Sequence, residues 1–421
     1  MLKQAFDEIV AVMTDRRPAA LGPAALGPAA LGLAALGLVL FVAPFLSFFY
    51  PRVMGLVLPL AALTALWAAY STTRRWPAFD GPLAAVLAGV VGLCLVSALW
   101  APDAAFALKR SFRIALSGGM ALLFVAAARR LTGEQCRVVF TLLLVGMCAG
   151  LIVAAVSFLS DGWPYRLVRA VERPVDALVA ANRAMVVLSI FVWPAVLVLW
   201  GREARRTAAA LPVMLFVLAA ASQSQSSVAA LVLGSAMVLA CLLGPRLVRL
   251  AVQYGGAVAF LSAPWLVLQL RAVGPFSSGD WGAASTGARM EIWAAVAQRV
   301  VTHPWIGHGL EASRFLSGWK LDHLYYESMT ILHPHNGMLQ IWLEFGLVGA
   351  FLAAGLWILL VRRIAALQGP AQPIGLVLAS VTLFVSTVSH GLWQSWWLGT
   401  VGVAAALFVL ARRGAPTPQA P

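Results

Sequence analysis

Residues 285–315 read STGARMEIWAAVAQRVVTHPWIGHGLEASRF, and residues 332–350 read LHPHNGMLQIWLEFGLVGA. These stretches bracket the one long part of the sequence that is neither an apolar span nor a short connector. They collect an arginine, several histidines and an asparagine just before the chain returns to apolar residues. The apolar spans on either side predict transmembrane helices that pack into a bundle, with this polar loop outside the membrane.

Composition places the chain among membrane proteins. Hydrophobic residues make up 61% and charged residues 11% of the sequence, whereas soluble domains have about half and about a quarter. In a membrane protein, topology and contact with anionic lipid are the first explanation of the formal charge of +14, ahead of binding to nucleic acid. The cysteines lack paired spacing, which favours buried hydrophobes over a disulfide or metal site: Cys94, Cys136, Cys148 and Cys241.

Apolar runs long enough to cross a bilayer recur along the whole length. We predict an all-α integral membrane protein with about twelve transmembrane helices and one large external loop that contains an amphipathic helix. The spans fall at about 31–49, 53–70, 82–100, 110–128, 137–158, 182–200, 208–221, 227–243, 249–270, 336–361, 373–390 and 395–411.

These spans divide the chain into five parts. Residues 1–30 form a low-complexity lead-in with a five-residue repeat from Pro18, for which a cleaved signal peptide is the alternative. Residues 31–271 hold helices one to nine, 272–335 the loop, 336–411 the last three helices, and 412–421 a tail.

Arginines mark every other connection, which is the positive-inside pattern. They are Arg16-Arg17, Arg74-Arg75, Arg129-Arg130, Arg205-Arg206, Arg362-Arg363 and Arg412-Arg413, with Arg246 and Arg249 in the remaining connection. Both termini are therefore expected in the cytoplasm and the 272–335 loop on the opposite side.

Positively charged residues on the predicted outer side oppose the positive-inside rule, so their presence needs another explanation. Candidates for binding an anionic substrate are Arg110, Arg113, Arg183, Arg271 and Arg289. Arg113 and Arg183 lie at the mouths of apolar spans, where an unpaired charge is expensive. For Arg52, Arg314 and Lys320 we favour an ordinary solvated position.

Residues 285–301 predict an amphipathic helix, with Met290, Trp293 and Val296 on its apolar face. Such a helix is expected to lie along the membrane surface with Arg289 in its first turn. There the guanidinium and the free amides would together suit an anion. A plain interfacial arginine is the alternative.

His335-Asn336 immediately precedes the tenth span. Asn336 is a candidate N-cap, and His335 at the helix mouth is a candidate general base; a structural histidine is the alternative. A metal site shared with His333 has no nearby acid or cysteine to complete it. Deeper in the span, Glu344 is expected to pair with a cation such as Arg113 or to stay protonated.

These residues resemble the O-antigen ligase and polymerase superfamily. The matching motifs are Gly287-Ala-Arg289, Trp293, His303-Pro-Trp-Ile-Gly307-His-Gly309, His335-Asn336 and Gly346-Leu-Val-Gly349, and more weakly Ala181-Asn182-Arg183. One departure is Ser224-Gln225, where many members carry Ser-Arg at an external turn.

The resemblance implies a GT-C-like glycosyltransferase of the bacterial inner membrane with a periplasmic active site. Its donor would be O-antigen on undecaprenyl pyrophosphate, and its acceptor lipid A-core. Catalysis would need no metal or other cofactor. His335 would act as the base, and Arg110, Arg113, Arg183, Arg271, Arg289 and Asn336 would bind substrate. Direct attack by the acceptor would invert the anomeric centre.

Two further classes of function stay open at this point. Within the superfamily, an O-antigen polymerase or a protein O-glycosyltransferase would carry similar motifs. A lipid-linked glycan transporter or flippase would also fit twelve spans, although such proteins usually show internal repeats and charges at mid-membrane.

Overall fold

The computed structural model describes residues 27–50, 52–170, 174–222, 224–272, 284–321 and 330–414, with side chains omitted at 174–180 and 284–285. Within these ranges the chain is helical, with no strand. The helices are α1 Pro28–Phe49, α2 Met54–Thr73, α3 Gly81–Ser97, α4 Ala104–Ala128, α5 Gly133–Leu159, α6 Trp163–Arg169, α7 Pro174–Gly201, α8 Arg205–Ala221, α9 Gln225–Leu243, α10 Pro245–Ala272, α11 Ala284–Thr302, α12 Gly337–Ala365, α13 Ala371–Val388 and α14 Ser395–Gly414.

Every predicted span coincides with one of these helices, so the all-α membrane class is confirmed. Ten helices are long and apolar enough to cross a membrane. The other two, α3 and α8, have 17 residues each, which is at the lower limit for crossing. The count of twelve therefore stays a prediction that depends on α3 and α8.

Helix α7 forms the centre of the bundle. In the 18-residue apolar stretch of α7, 89% of the residues are buried, compared with 33% in the corresponding stretch of α4. It packs against α1, α8, α13 and α14, and its run of large apolar residues includes the fully buried Phe191 and Trp193. Arg183 is therefore carried by the element that the rest of the protein surrounds.

Glycines allow neighbouring helices to approach closely. A side chain at Gly146 of α5 would collide with the backbone of Phe41 in α1, and one at Gly399 of α14 with Met54 at the start of α2. Small residues at such contacts are the usual means of packing membrane helices, because lipid supplies little hydrophobic force between them.

The predicted cytoplasmic arginines gather at one end of the bundle. Asp80 pairs with Arg129 at 3.2 Å and with Arg363 at 3.6 Å. Arg413 donates to the carbonyl oxygen of Leu131 at 2.9 Å. Connections far apart in sequence thus meet, as the alternating pattern requires. Arg16 and Arg17 lie outside the described residues.

The amphipathic helix of the loop is present as α11, but its start differs from the prediction. The helix begins at Ala284, so Arg289 lies in its second turn and not among the free amides of the first. It packs against α10 and α12, with Ile292, Val296 and Val300 buried in the main core. Its position along the membrane surface stays a prediction.

Helix α12 is broken at Gly346, whose φ of 59° and ψ of −148° are not helical. Residues 304–309 occupy the break through four backbone hydrogen bonds: His308 N to Leu343 O (2.8 Å), Gly309 N to Glu344 O (2.9 Å), Leu347 N to Pro304 O (2.7 Å) and Val348 N to Trp305 O (3.2 Å). These replace the two helical bonds that would join residues 347 and 348 to 343 and 344. The break is therefore fully paired.

The glycines of both motifs serve this contact. A side chain at Gly346 would collide with the backbone of Pro304 and Trp305, and one at Gly307 with the backbone of Leu343 and Glu344. Both glycines also have positive φ, which a residue with a side chain adopts only at a cost. The His-Pro-Trp-Ile-Gly-His-Gly motif thus holds the loop against α12 by close backbone packing and hydrogen bonds.

Candidate functional site

His335 is held at the mouth of α12 by contacts on both sides. Its Nδ1 lies 2.9 Å from the carbonyl oxygen of Ser389. The next residue, Asn336, caps α12 as predicted: its side-chain oxygen accepts from the amides of Met338 (3.0 Å) and Leu339 (3.1 Å). His335 itself has a φ of 54°, a conformation that costs about 1–2 kcal/mol for a residue with a side chain.

The contact with Ser389 determines the tautomer of the imidazole. A backbone carbonyl can only accept, so in neutral His335 the proton must lie on Nδ1. The lone pair is then on Nε2. His335 is thereby oriented to receive a proton at Nε2, which is the requirement for a general base.

Two further histidines lie beside His335. The rings of His333 and His335 are 4.1 Å apart between centroids, and a side chain at Gly391 would collide with His333. His390 stacks edge-on against Trp396 at 4.5 Å, and its buried Nε2 has no hydrogen-bond partner among the described residues. Three imidazoles therefore share one small volume.

Arg183 from α7 and Arg289 from α11 complete this group. Burial, followed by the charges of Arg183, His335, His333 and Arg289, lowers the pKa of His390 well below its usual value. We call these five residues the His–Arg cluster. It assembles side chains from four elements that are far apart in sequence.

The electrostatics of the His–Arg cluster keep its imidazoles neutral. Burial, with help from His335, Arg314 and Arg183, lowers the pKa of His333 to about 3. Burial and Arg289 also lower the pKa of His335, while the bond to Ser389 opposes this shift. No carboxylate of the described ranges contributes to these shifts or to that of His390. The site thus offers cations and neutral bases, a combination suited to an anionic substrate.

The start of α9 closes one side of the His–Arg cluster. Ser226 Oγ lies 3.4 Å from Ser389 Oγ. Thr286 Oγ1 lies 3.3 Å from Gln225 Oε1. Gln225, at the position where the resemblance leads us to expect an arginine, therefore links α9 to α11. Helix α11 also carries Arg289.

Arg110 has a different environment from Arg183 and Arg289. Its Nε pairs with Glu311 at 2.6 Å, and its Nη1 donates to the Trp393 carbonyl at 3.0 Å. Glu311 also pairs with Arg314 at 2.7 Å, which the sequence had suggested to be a solvated arginine. Glu311 is thus shared by two arginines, and Arg110 also supports the 389–394 turn. Its role as a substrate ligand stays a prediction.

The remaining predicted residues are placed as follows. Arg113 is exposed on α4, near Arg110. Arg271 lies in the last turn of α10, beside residues 273–283, which are not described. The oxygen of Asn336 is occupied by its capping bonds. Glu172 and Asp176, the acids considered as partners of Arg183, lie outside the described side chains.

The sequence suggested that Glu344 pairs with a cation such as Arg113 or stays protonated. The structure pairs it with uncharged donors and not with Arg113. Its carboxylate accepts from Gln340 Nε2 at 2.9 Å and from Trp393 Nε1 at 2.6 Å. Gln340 Oε1 in turn accepts from the amide of Leu392 at 2.8 Å. This buried network fastens α12 to the turn that carries Ser389 and His390.

For a metal ion bound by His333 and His335, the described residues offer no third ligand. Across the described ranges, no group of three His, Cys, Asp or Glu side chains is arranged to hold a metal ion.

Comparison with known proteins agrees with this architecture. Residues 210–354 match the protein-family model described as O-antigen ligase. The match covers about a third of the chain. The matched segment runs from α8 into α12 and so contains Arg289, His335 and Asn336.

Curated relatives point the same way. Proteins of Rickettsia conorii and Rickettsia felis, both provisionally named polysaccharide ligases, are 23% and 24% identical over 267 and 271 residues. Each alignment covers 61% of this chain, and 63% and 64% of the respective relatives. The chain therefore spans less than two thirds of the length of these relatives.

Sequence reasoning missed His390 and the Ser389 carbonyl, both of which lie beyond the matched residues 210–354. Ser389-His390 closes the predicted span 373–390, so an ionisable residue at a span mouth was visible there, just as it was for His335. Nothing in the sequence indicated the carbonyl contact, because it joins residues 54 positions apart.

Proposed function

We propose that this protein is an O-antigen ligase. It transfers a glycan from an undecaprenyl-pyrophosphate carrier to a hydroxyl of lipid A-core, at the periplasmic face of the bacterial inner membrane. The observation that carries the proposal is the His–Arg cluster, in which Ser389 orients His335, Arg289 acts on His335, and Arg183 acts on the neighbouring His333 and His390.

The arginines bind the carrier's pyrophosphate in this mechanism. Pyrophosphate is already a good leaving group, so the transition state needs charge stabilisation more than a proton donor. A guanidinium provides paired donors in the geometry of phosphate oxygens. Burial lowers the pKa of Arg289, so bringing an anion beside it offsets an unfavourable environment.

His335 activates the acceptor. The hydroxyl of the acceptor sugar donates its hydrogen to Nε2 of His335 and attacks the anomeric carbon on the face opposite the pyrophosphate. The bond to the pyrophosphate oxygen breaks, the proton stays on the imidazole, and the configuration inverts. The Ser389 carbonyl, which accepts from Nδ1–H, stabilises the resulting imidazolium. No metal step is required.

The test compares lipopolysaccharide from cells that carry the chain with that from cells lacking it. We expect the deletion to remove all long glycan from lipid A-core while carrier-linked polymer is still made on the periplasmic side. Lipid A-core carrying a single repeat unit would instead indicate a polymerase. Carrier-linked glycan retained on the cytoplasmic side would indicate a flippase.

A further inference from the structure

A cavity of about 190 Å³ opens at the second half of α11, away from the His–Arg cluster. Its lining includes Gln298, Arg299 and Thr302 of α11, and Trp319 and Lys320 of the following segment. Among the residues that the structure describes, no acidic side chain lines the cavity. The cavity therefore presents hydrogen-bond donors and two positive charges.

Arg299 is fixed in place within this cavity. Its guanidinium lies 5.7 Å from the centre of the Trp319 ring, and its Nη2 donates to the Ser317 carbonyl at 2.7 Å. Its Nε and the indole nitrogen of Trp319 are both buried without a hydrogen-bond partner among the described residues. An arginine held in place by a ring and a carbonyl is preorganised, and its guanidinium is suited to bind an anion.

Lys320 and Gln298 are exposed at the same cavity. The sequence had suggested an ordinary solvated lysine, but the structure brings its charge beside Arg299. Gln298 adds an amide and Thr302 a hydroxyl. This combination is suited to a ligand with both negative charge and hydroxyl groups.

The cavity is too far from the His–Arg cluster to take part in the chemistry. Arg299 follows Arg289 by ten residues of α11, which is about 15 Å along a helix at about 1.5 Å per residue. A group bound there is separated from the reacting pyrophosphate. A sugar elsewhere in the same oligosaccharide would be at a suitable distance.

We propose that this cavity binds an acidic sugar, one that carries a phosphate or carboxylate, on a glycan engaged in the transfer reaction. The inference rests on the proposed function and names a second contact of the same substrate. The acidic sugar belongs either to the acceptor oligosaccharide or to the carrier-linked donor glycan, and kinetics can separate these sources.

The experiment uses the purified full-length protein in lipid nanodiscs, with carrier-linked glycan as donor and lipid A-core as acceptor. Each substrate is varied while the other is saturating. Lys320→Glu reverses a charge at the cavity without touching the His–Arg cluster. Lys109→Glu is the matched control, because Lys109 is exposed on α4 and does not line the cavity.

Lys320→Glu should raise the KM of one substrate about three- to tenfold, the range expected for an exposed charge contact, with kcat nearly unchanged. A rise for the acceptor that disappears after phosphatase treatment assigns the cavity to acceptor phosphate. A rise that survives this treatment assigns it to acceptor carboxylate, and a rise for the donor assigns it to the donor glycan.

Kinetics of Lys320→Glu that match those of Lys109→Glu for both substrates would overturn the inference. An inactive wild-type protein would instead count against the proposed function. The two failures are therefore distinguishable.

Discussion

The indole Nε1 of Trp393 donates a hydrogen bond of 2.6 Å to the carboxylate of Glu344. This bond joins α12 to the 389–394 turn, which positions both the Ser389 carbonyl and His390. Glu344 therefore acts through the turn, at a distance from the reacting atoms.

Glu344→Gln should keep most transfer activity, because a glutamine oxygen can still accept from Trp393. Glu344→Leu should lose about 1–3 kcal/mol of stability, since it leaves the buried donors of Gln340 and Trp393 unpaired. Transfer rate and thermal unfolding of both variants check this prediction. Complete loss of activity in a stably folded Glu344→Gln protein would place Glu344 in the catalytic set.

His335→Ala should reduce kcat by about 10²–10⁴-fold, the usual contribution of a general base. Binding of carrier-linked glycan should be retained, as measured with labelled donor. His333→Ala, as the neighbouring control, should be milder, and EDTA should leave wild-type transfer unchanged. A His335→Ala protein unable to bind donor would make His335 a phosphate ligand; inhibition by EDTA that a divalent ion reverses would revive the metal hypothesis.

The pH dependence follows from the lowered pKa of His335. The neutral imidazole is the active form, so kcat/KM should be constant above the usual histidine pKa of about 6.5 and fall only at lower pH. Because Arg289 contributes to lowering this pKa, Arg289→Gln should move the acid limb of its residual activity towards higher pH. An acid limb above pH 6.5 in the wild type would contradict this assignment.

Arg289→Lys and Arg183→Lys should each lose most activity while the protein still inserts and expresses. Lysine keeps the charge but cannot form the paired contact that a guanidinium makes with a phosphate. Transfer assays on equal amounts of membrane-inserted protein measure the effect, and Arg246→Lys, at an exposed position in a predicted cytoplasmic connection, is the control. Near-normal transfer by Arg289→Lys would show that only the positive charge at this position is needed, and not the paired contact of a guanidinium.

The orientation of the bundle can be tested with single cysteines in a background lacking the four native ones. Cys substituted at Ser317 should react with an impermeant thiol reagent from the periplasm, and Cys at Gln368 should be protected until the membrane is opened. Both positions are exposed. The reverse pattern would place the His–Arg cluster in the cytoplasm and end the proposed mechanism.

The helices were predictable because each is encoded locally, by an apolar run or by a residue such as Asn336 that caps its own helix. The His–Arg cluster was only half predictable. Arg183, Arg289 and His335 stood out as polar groups beside apolar sequence, but their convergence depends on how distant helices pack. The pairing of Arg110 with Glu311, about 200 residues apart, was not predictable for the same reason.

The break at Gly346 has a consequence for biogenesis. Residues 304–309 leave the ribosome before α12, yet their partners in the break are made only with that helix. Without the loop, a break at Gly346 would leave peptide groups unpaired, which hydrocarbon does not tolerate. We therefore expect α12 to adopt the break only as the loop docks, so that insertion of this helix and assembly of the site are coupled.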